Sequence, residues 1–217
     1  MKLVQRLSRA AVICALGILV TLVPAAALDH HEGAEHAEHG DMAMETSAEV
    51  SAILQNLAET GEKLLALAEA TPEEKFSWAP TDEVRTISEV YMHAVGVNML
   101  LPPALGAAMP EGVEMTAPPF EMMAQWEEAV TAKADVIAKL GASMEYVGKA
   151  LASITDLETE VTLFGPPAPK RAYFLILLTH AHEHLGQSIA YARSVGVVPP
   201  WSQPAPAEGD DAMADDG

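Results

Sequence analysis

At 217 residues, the chain has room for one ordinary domain plus extensions. Half of its residues are apolar but only 5% are aromatic, a balance that suits helix packing better than a β-sandwich or barrel. A formal net charge of −19 leaves no phosphate-binding footprint and argues against nucleic acid as a partner.

Residues 1–27 read as a secretory signal. Lys2, Arg6 and Arg9 make a positive start, an apolar run extends from Ala10 to Val23, and Ala25-Ala26-Ala27 supplies small residues for cleavage after Ala27. The run is short for a membrane span, which needs about 20 apolar residues. The expected address is therefore periplasmic or secreted, with no stable membrane insertion after cleavage; an uncleaved N-terminal anchor is the alternative. Cys14, the only cysteine, falls inside this run behind bulky Ile13, where a lipid-attachment site wants a small residue. A mature chain without it has no thiol, which excludes a cysteine nucleophile, a thiolate ligand and a redox dithiol.

Residues 28–46 lack apolar periodicity, are rich in His, Glu and Gly, and are expected to be disordered. His30, His31, His36 and His39, with Met42 and Met44, could bind zinc or copper loosely. The competing reading of this stretch is a solvated linker.

Four helices are predicted between 47 and 202. The first runs from about Ala48 to Ala70, with Val50, Ile53, Leu54, Leu57, Leu64, Leu65 and Leu67 on its apolar side, and stops at Thr71-Pro72. The second starts at the capping-box pattern Thr86-Ile87-Ser88-Glu89 and ends at Pro102-Pro103. A loop rich in Pro, Gly and Met follows to about Phe120. The third helix spans about Ala129 to Ile154, or starts earlier, at Glu121. An irregular connection from Asp156 to Pro169 precedes the fourth, Lys170 to Ser194, for which Gly196 is the expected left-handed stop. Residues 203–217 form an acidic tail expected to be disordered. The fold class that follows is all-α, a four-helix bundle with disordered extensions.

The chemistry concentrates in His180-Ala181-His182-Glu183-His184-Leu185-Gly186-Gln187. On a helix His180 and His184 stack one turn apart, and His182 points roughly 200° away. Two imidazoles at this spacing are half of a metal site. The bland alternative is a pair of histidines hydrogen-bonded within the bundle or lying at its rim. His93 adds a third imidazole from the second helix. Glu89, one turn earlier, and Gln187, beyond His184, are candidates to orient these rings, although capping competes for Glu89. Three protein ligands would leave a coordination position open, as in catalytic rather than structural sites.

Phe76-Ser77-Trp78-Ala79-Pro80, then Val84 to Val90 and His93, resemble the opening of the DinB-like (DinB/YfiT) superfamily domain. Thr179 to Gln187, Tyr191-Ala192-Arg193 and Gly196 to Ser202 are similar to its last helix and exit, and Thr162-Leu163-Phe164-Gly165 fits the connection before it. The resemblance covers about residues 48–202. It implies a four-helix bundle holding a divalent metal on three histidines, which by position are His93, His180 and His184. The family includes transferases of small thiols and thiol-dependent maleylpyruvate isomerases, so membership alone fixes no reaction.

The string His180 to His184 also fits HxxEH, in which Glu183 would be a general base. That reading lacks a downstream helical Glu ligand; Glu183 is expected to be exposed or to support a ligand from behind, and His182 to lie at the rim, with proton shuttling an alternative role for His182. Met99, Met109, Met115, Met122 and Met123 read as core or pocket lining, and Trp78, Trp126 and Trp201 as packing anchors.

The sequence thus points to an exported protein with a mononuclear three-histidine site for zinc or nickel, acting as a metal-dependent hydrolase or transferase on a small-molecule substrate. The alternative is a periplasmic metal-buffering protein that uses the His/Met-rich leader. A homodimer is compatible with either.

Overall fold

Thr86 and Glu89 form the reciprocal cap that their spacing predicts. Thr86 Oγ1 accepts from the Glu89 amide at 3.3 Å, and the Glu89 carboxylate accepts from the Thr86 amide at 2.7 Å. In the computed structural model, which describes residues 38–203, this cap opens α2 (Ile87–Ala104). The other helices are α1 (Glu38–Ala70), α3 (Pro119–Ala129), α4 (Lys133–Ser153) and α5 (Lys170–Ser194). The chain divides into the units Met1–Ala48 and Glu49–Gly217, and the bundle belongs to the second. The expected signal, the tail beyond residue 203 and residues 28–37 lie outside the described residues.

Helix α1 begins ten residues before its expected start. Its added stretch contains Met42-Ala43-Met44-Glu45, all strong helix formers, so the absence of an apolar stripe did not mark a boundary. Helix α2 runs through Pro102 and Pro103 instead of stopping at them. Their carbonyls accept from the Leu105 and Gly106 amides at 3.0 Å, which closes the helix in a tightened turn before Gly106 turns the chain at φ +101°.

The predicted third helix is two helices. Val130 and Ala132 adopt extended backbone and separate α3 from α4, at a Val-Thr pair with weak helix propensity and no Gly or Pro to announce it. The break sets Lys133 against the end of α1, where its Nζ donates to the carbonyls of Glu69 at 2.7 Å and Thr71 at 2.8 Å. The connection before α5 carries two strands that no alternation could reveal, each being only two residues long. These are β1 (Glu160–Val161) and β2 (Ala168–Pro169), antiparallel with Glu160 opposite Pro169. At the end of α5, Val197 donates to the Ala192 carbonyl and Gly196 to that of Arg193, with Gly196 at φ +85°; this is the glycine stop expected there.

Helices α1, α2, α4 and α5 form a four-helix bundle around two apolar clusters. One contains Leu57, Leu105, Leu151 and Phe174, the other Leu64, Met92, Leu140 and Leu185. The predicted α1 stripe is buried or packed against these clusters. None of the described helices is long and apolar enough to cross a membrane.

Removing the Thr86 hydroxyl should cost about 1 kcal/mol, the usual worth of an N-cap. Thr86→Ala is thus expected to lower the urea midpoint at unchanged slope, and an unchanged midpoint would show that solvent replaces the cap.

Candidate metal centre

His93 lies two turns into α2, and His180 and His184 lie one turn apart on α5, between the two apolar clusters. The fold brings all three together. Ring centroids are 5.2 Å apart for His93 and His180, 4.9 Å for His93 and His184, and 4.3 Å for His180 and His184. One nitrogen from each ring lies within 4.8 Å of the other two, and the Nε2 atoms of His180 and His184 are 3.0 Å apart. A tetrahedral zinc with bonds of about 2.0–2.1 Å sets neighbouring nitrogens roughly 3.3 Å apart. The His180 and His184 nitrogens already stand near that spacing, and the remaining separations are within 4.8 Å.

The hydrogen bonds behind the rings fix which nitrogen is free. His184 Nδ1 donates to Gln187 Oε1 at 3.0 Å, leaving its Nε2 lone pair toward the cluster. Gln187 in turn donates to the Tyr191 hydroxyl at 3.3 Å, and the Tyr191 ring meets Trp78 edge-on at 5.4 Å. His93 Nδ1 donates to Glu127 Oε1 at 2.8 Å, again leaving Nε2 to face the pair. Two of the three rings are therefore held by acceptors in the tautomer a metal requires.

Glu89 is not the residue that orients His93. Its carboxylate is engaged by the Thr86 amide in the α2 cap, so the competing role wins. Glu127 on α3 takes that position, and its second oxygen accepts from Arg85 Nε at 2.8 Å. Sequence reasoning missed Glu127. The available signal was its place one turn after Met123, on the face with which α3 docks through Met122 and Met123.

Electrostatics favour the neutral form of the His180 and His184 rings. Burial, with the neighbouring charges of His184, His93 and Arg85, lowers the His180 pKa to about 2. Burial again comes first for His184, followed by His93; the Gln187 bond opposes them, and the pKa falls to about 4. Burial alone would raise the Glu127 pKa. The hydrogen bonds from His93 and Arg85, with their charges, outweigh it and hold the carboxyl below its usual range. The result is a partly buried set of three imidazole donors, with His184 the most enclosed, beside an ionised carboxylate. That donor set suits a divalent metal ion that accepts imidazole ligands.

His182 and Glu183 are exposed and stand outside the cluster. His182 Nδ1 donates to the Leu178 carbonyl at 3.0 Å, and its Nε2 lies 3.3 Å from Thr60 Oγ1, which ties α5 to α1. Met122 and Met123 are buried under α3, whereas Met109 and Met115 are exposed. Trp78 and Trp126 pack against the core; Trp201 does not, being 43% exposed in a short turn beyond α5.

The sequence profile of the DinB superfamily matches residues 56–188, more than half of the chain and a span that includes all three histidines and Glu127. Among solved structures, the chain is similar to the crystal structure of a DinB-like protein from Bacillus cereus ATCC 10987. The two are 21% identical with a TM-score of 0.52, over 68% of this chain and 93% of that one, a likeness that speaks for the fold. Comparison with curated proteins finds no match.

Proposed function

The chain belongs to the DinB superfamily, and on that premise we propose that it is an exported metal-dependent hydrolase or transferase of a small molecule. His93, His180 and His184 hold one divalent ion, zinc or nickel. The observation that carries this reading is the three-histidine cluster, with its nitrogens within 4.8 Å of one another. When bound, the ion supplies Lewis acidity that lowers the pKa of water or of a substrate heteroatom at the open position. The chain's own residues supply the rest. The three imidazoles are the donors, and Gln187 orients His184. Export rests on the sequence of residues 1–27, with Lys2, Arg6 and Arg9 ahead of the apolar run.

Metal analysis of protein purified without a histidine tag tests the reading. One tightly held ion per chain is expected, lost in His93→Ala and retained when residues 28–46 are deleted. Several weakly held ions that disappear with that deletion would favour metal buffering instead. An absence of bound metal, with thermal stability indifferent to chelator, would rule out both.

A further inference from the structure

Glu127 reaches the centre from outside the four long helices. It sits on α3, which docks on α2 by burying Met122 and Met123 against Leu100. Gly96, three residues after His93, makes that approach possible, because a Cβ there would lie 2.7 Å from Met123 Cγ. The same stretch of α2 thus presents His93 and admits the helix that carries its acceptor.

The Arg85–Glu127 ion pair links α3 to the start of α2. The carboxylate does more than that. One oxygen takes Arg85 Nε at 2.8 Å and the other takes His93 Nδ1 at 2.8 Å, with the Glu127 side chain only 13% exposed. An ionised acceptor behind an imidazole fixes its tautomer, locks its rotation and raises the basicity of the far nitrogen.

We infer that Glu127 is the positioning residue of the three-histidine centre, acting through His93 to aim Nε2 at the point shared with His180 and His184, while Arg85 holds Glu127 in place. This rests on the metal-site reading above. It assigns α3 a purpose that bundle packing does not require, which is to carry the carboxylate that completes the site.

The test is competition for zinc against a chromogenic chelator, together with the visible absorption of the cobalt(II)-substituted protein. Glu127→Ala should weaken zinc binding about 10- to 100-fold, the usual effect of losing such an acceptor, and should alter the cobalt spectrum. Glu127→Gln keeps an oxygen that can accept from Nδ1 and should recover most of the loss. It also serves as the deciding variant if Glu127→Ala does not fold. The chelator-treated proteins should unfold at similar temperatures. Wild-type affinity and spectrum in both variants would overturn the inference while leaving the metal site standing. So would a loss matched by equal destabilisation of the metal-free protein and not relieved by glutamine. Failure of the metal-site reading looks different: wild type itself would bind no zinc tightly, and His180→Ala would change nothing.

Discussion

Replacing His180 with alanine is expected to weaken zinc binding by about a hundred- to a thousandfold and to leave the metal-free fold intact. Structural zinc sites draw roughly 10–16 kcal/mol from about four ligands, so each donor is worth on the order of 2.5–4 kcal/mol. His180 suits the experiment because, among the described residues, no backbone group is bonded to its ring; its neighbours are the His184 Nε2 at 3.0 Å and the His93 ring. His184→Ala should cost similar affinity but would also strand Gln187, whose oxygen accepts from the His184 ring. Chelator competition gives the affinity, and circular dichroism of the metal-free variant gives the fold. Equal zinc affinity in wild type and His180→Ala would remove His180 from the ligand set.

Metal-free protein should lose stability on acidification between pH 6.5 and 4, a loss that begins above the range in which carboxylates protonate. Burial places the His184 pKa at about 4 in the folded state, against an ordinary 6.5. The unfolded chain therefore binds the extra proton first. Stability is complete above 6.5, declines as pH falls toward 4, and declines further as His180, at about 2, resists protonation longer still. His184 alone accounts for about 2 kcal/mol at pH 5. Glu127 acts in a different window. Its pKa is depressed, so its contribution is present above its unfolded value of 4.5 and is lost only below that. Urea unfolding of chelator-treated wild type and the His180→Ala, His184→Ala double variant at pH 7.5 and 5.0 separates the two effects. The wild type should lose more stability than the variant over that interval, and parallel losses would mean that these histidines are not desolvated in the folded protein.

Much of this was legible along the chain because it is encoded locally. The α1 stripe is a periodicity, the Thr86–Glu89 cap is a three-residue spacing, and Gly196 marks a turn whose backbone only glycine adopts freely. The His180–His184 pair is of the same kind, since one helical turn places both rings on one face whatever the rest of the chain does. The α3–α4 break escaped notice because no Gly or Pro stands there. A weakly helical Val-Thr pair yields only when Lys133 gains the α1 carbonyls, a partner more than sixty residues away in sequence.

By itself, then, the sequence determined the α1 stripe, the α2 cap, the α5 stop and two thirds of the histidine cluster, since each of these depends on residues within a turn or two of one another. His93 could be assigned to the same centre only on the condition that the second and fourth predicted helices are neighbours, or by resemblance, and the packing of α2 against α5 brings it there. The spacing of Glu127 from Met123 was the one signal in the sequence bearing on the choice between it and Glu89, and it does not decide that choice. Both are carboxylates able to serve an imidazole. The cap consumes the nearer one, and the docking of α3 over Gly96 delivers the farther one, a competition decided by distances that exist only once the helices are packed.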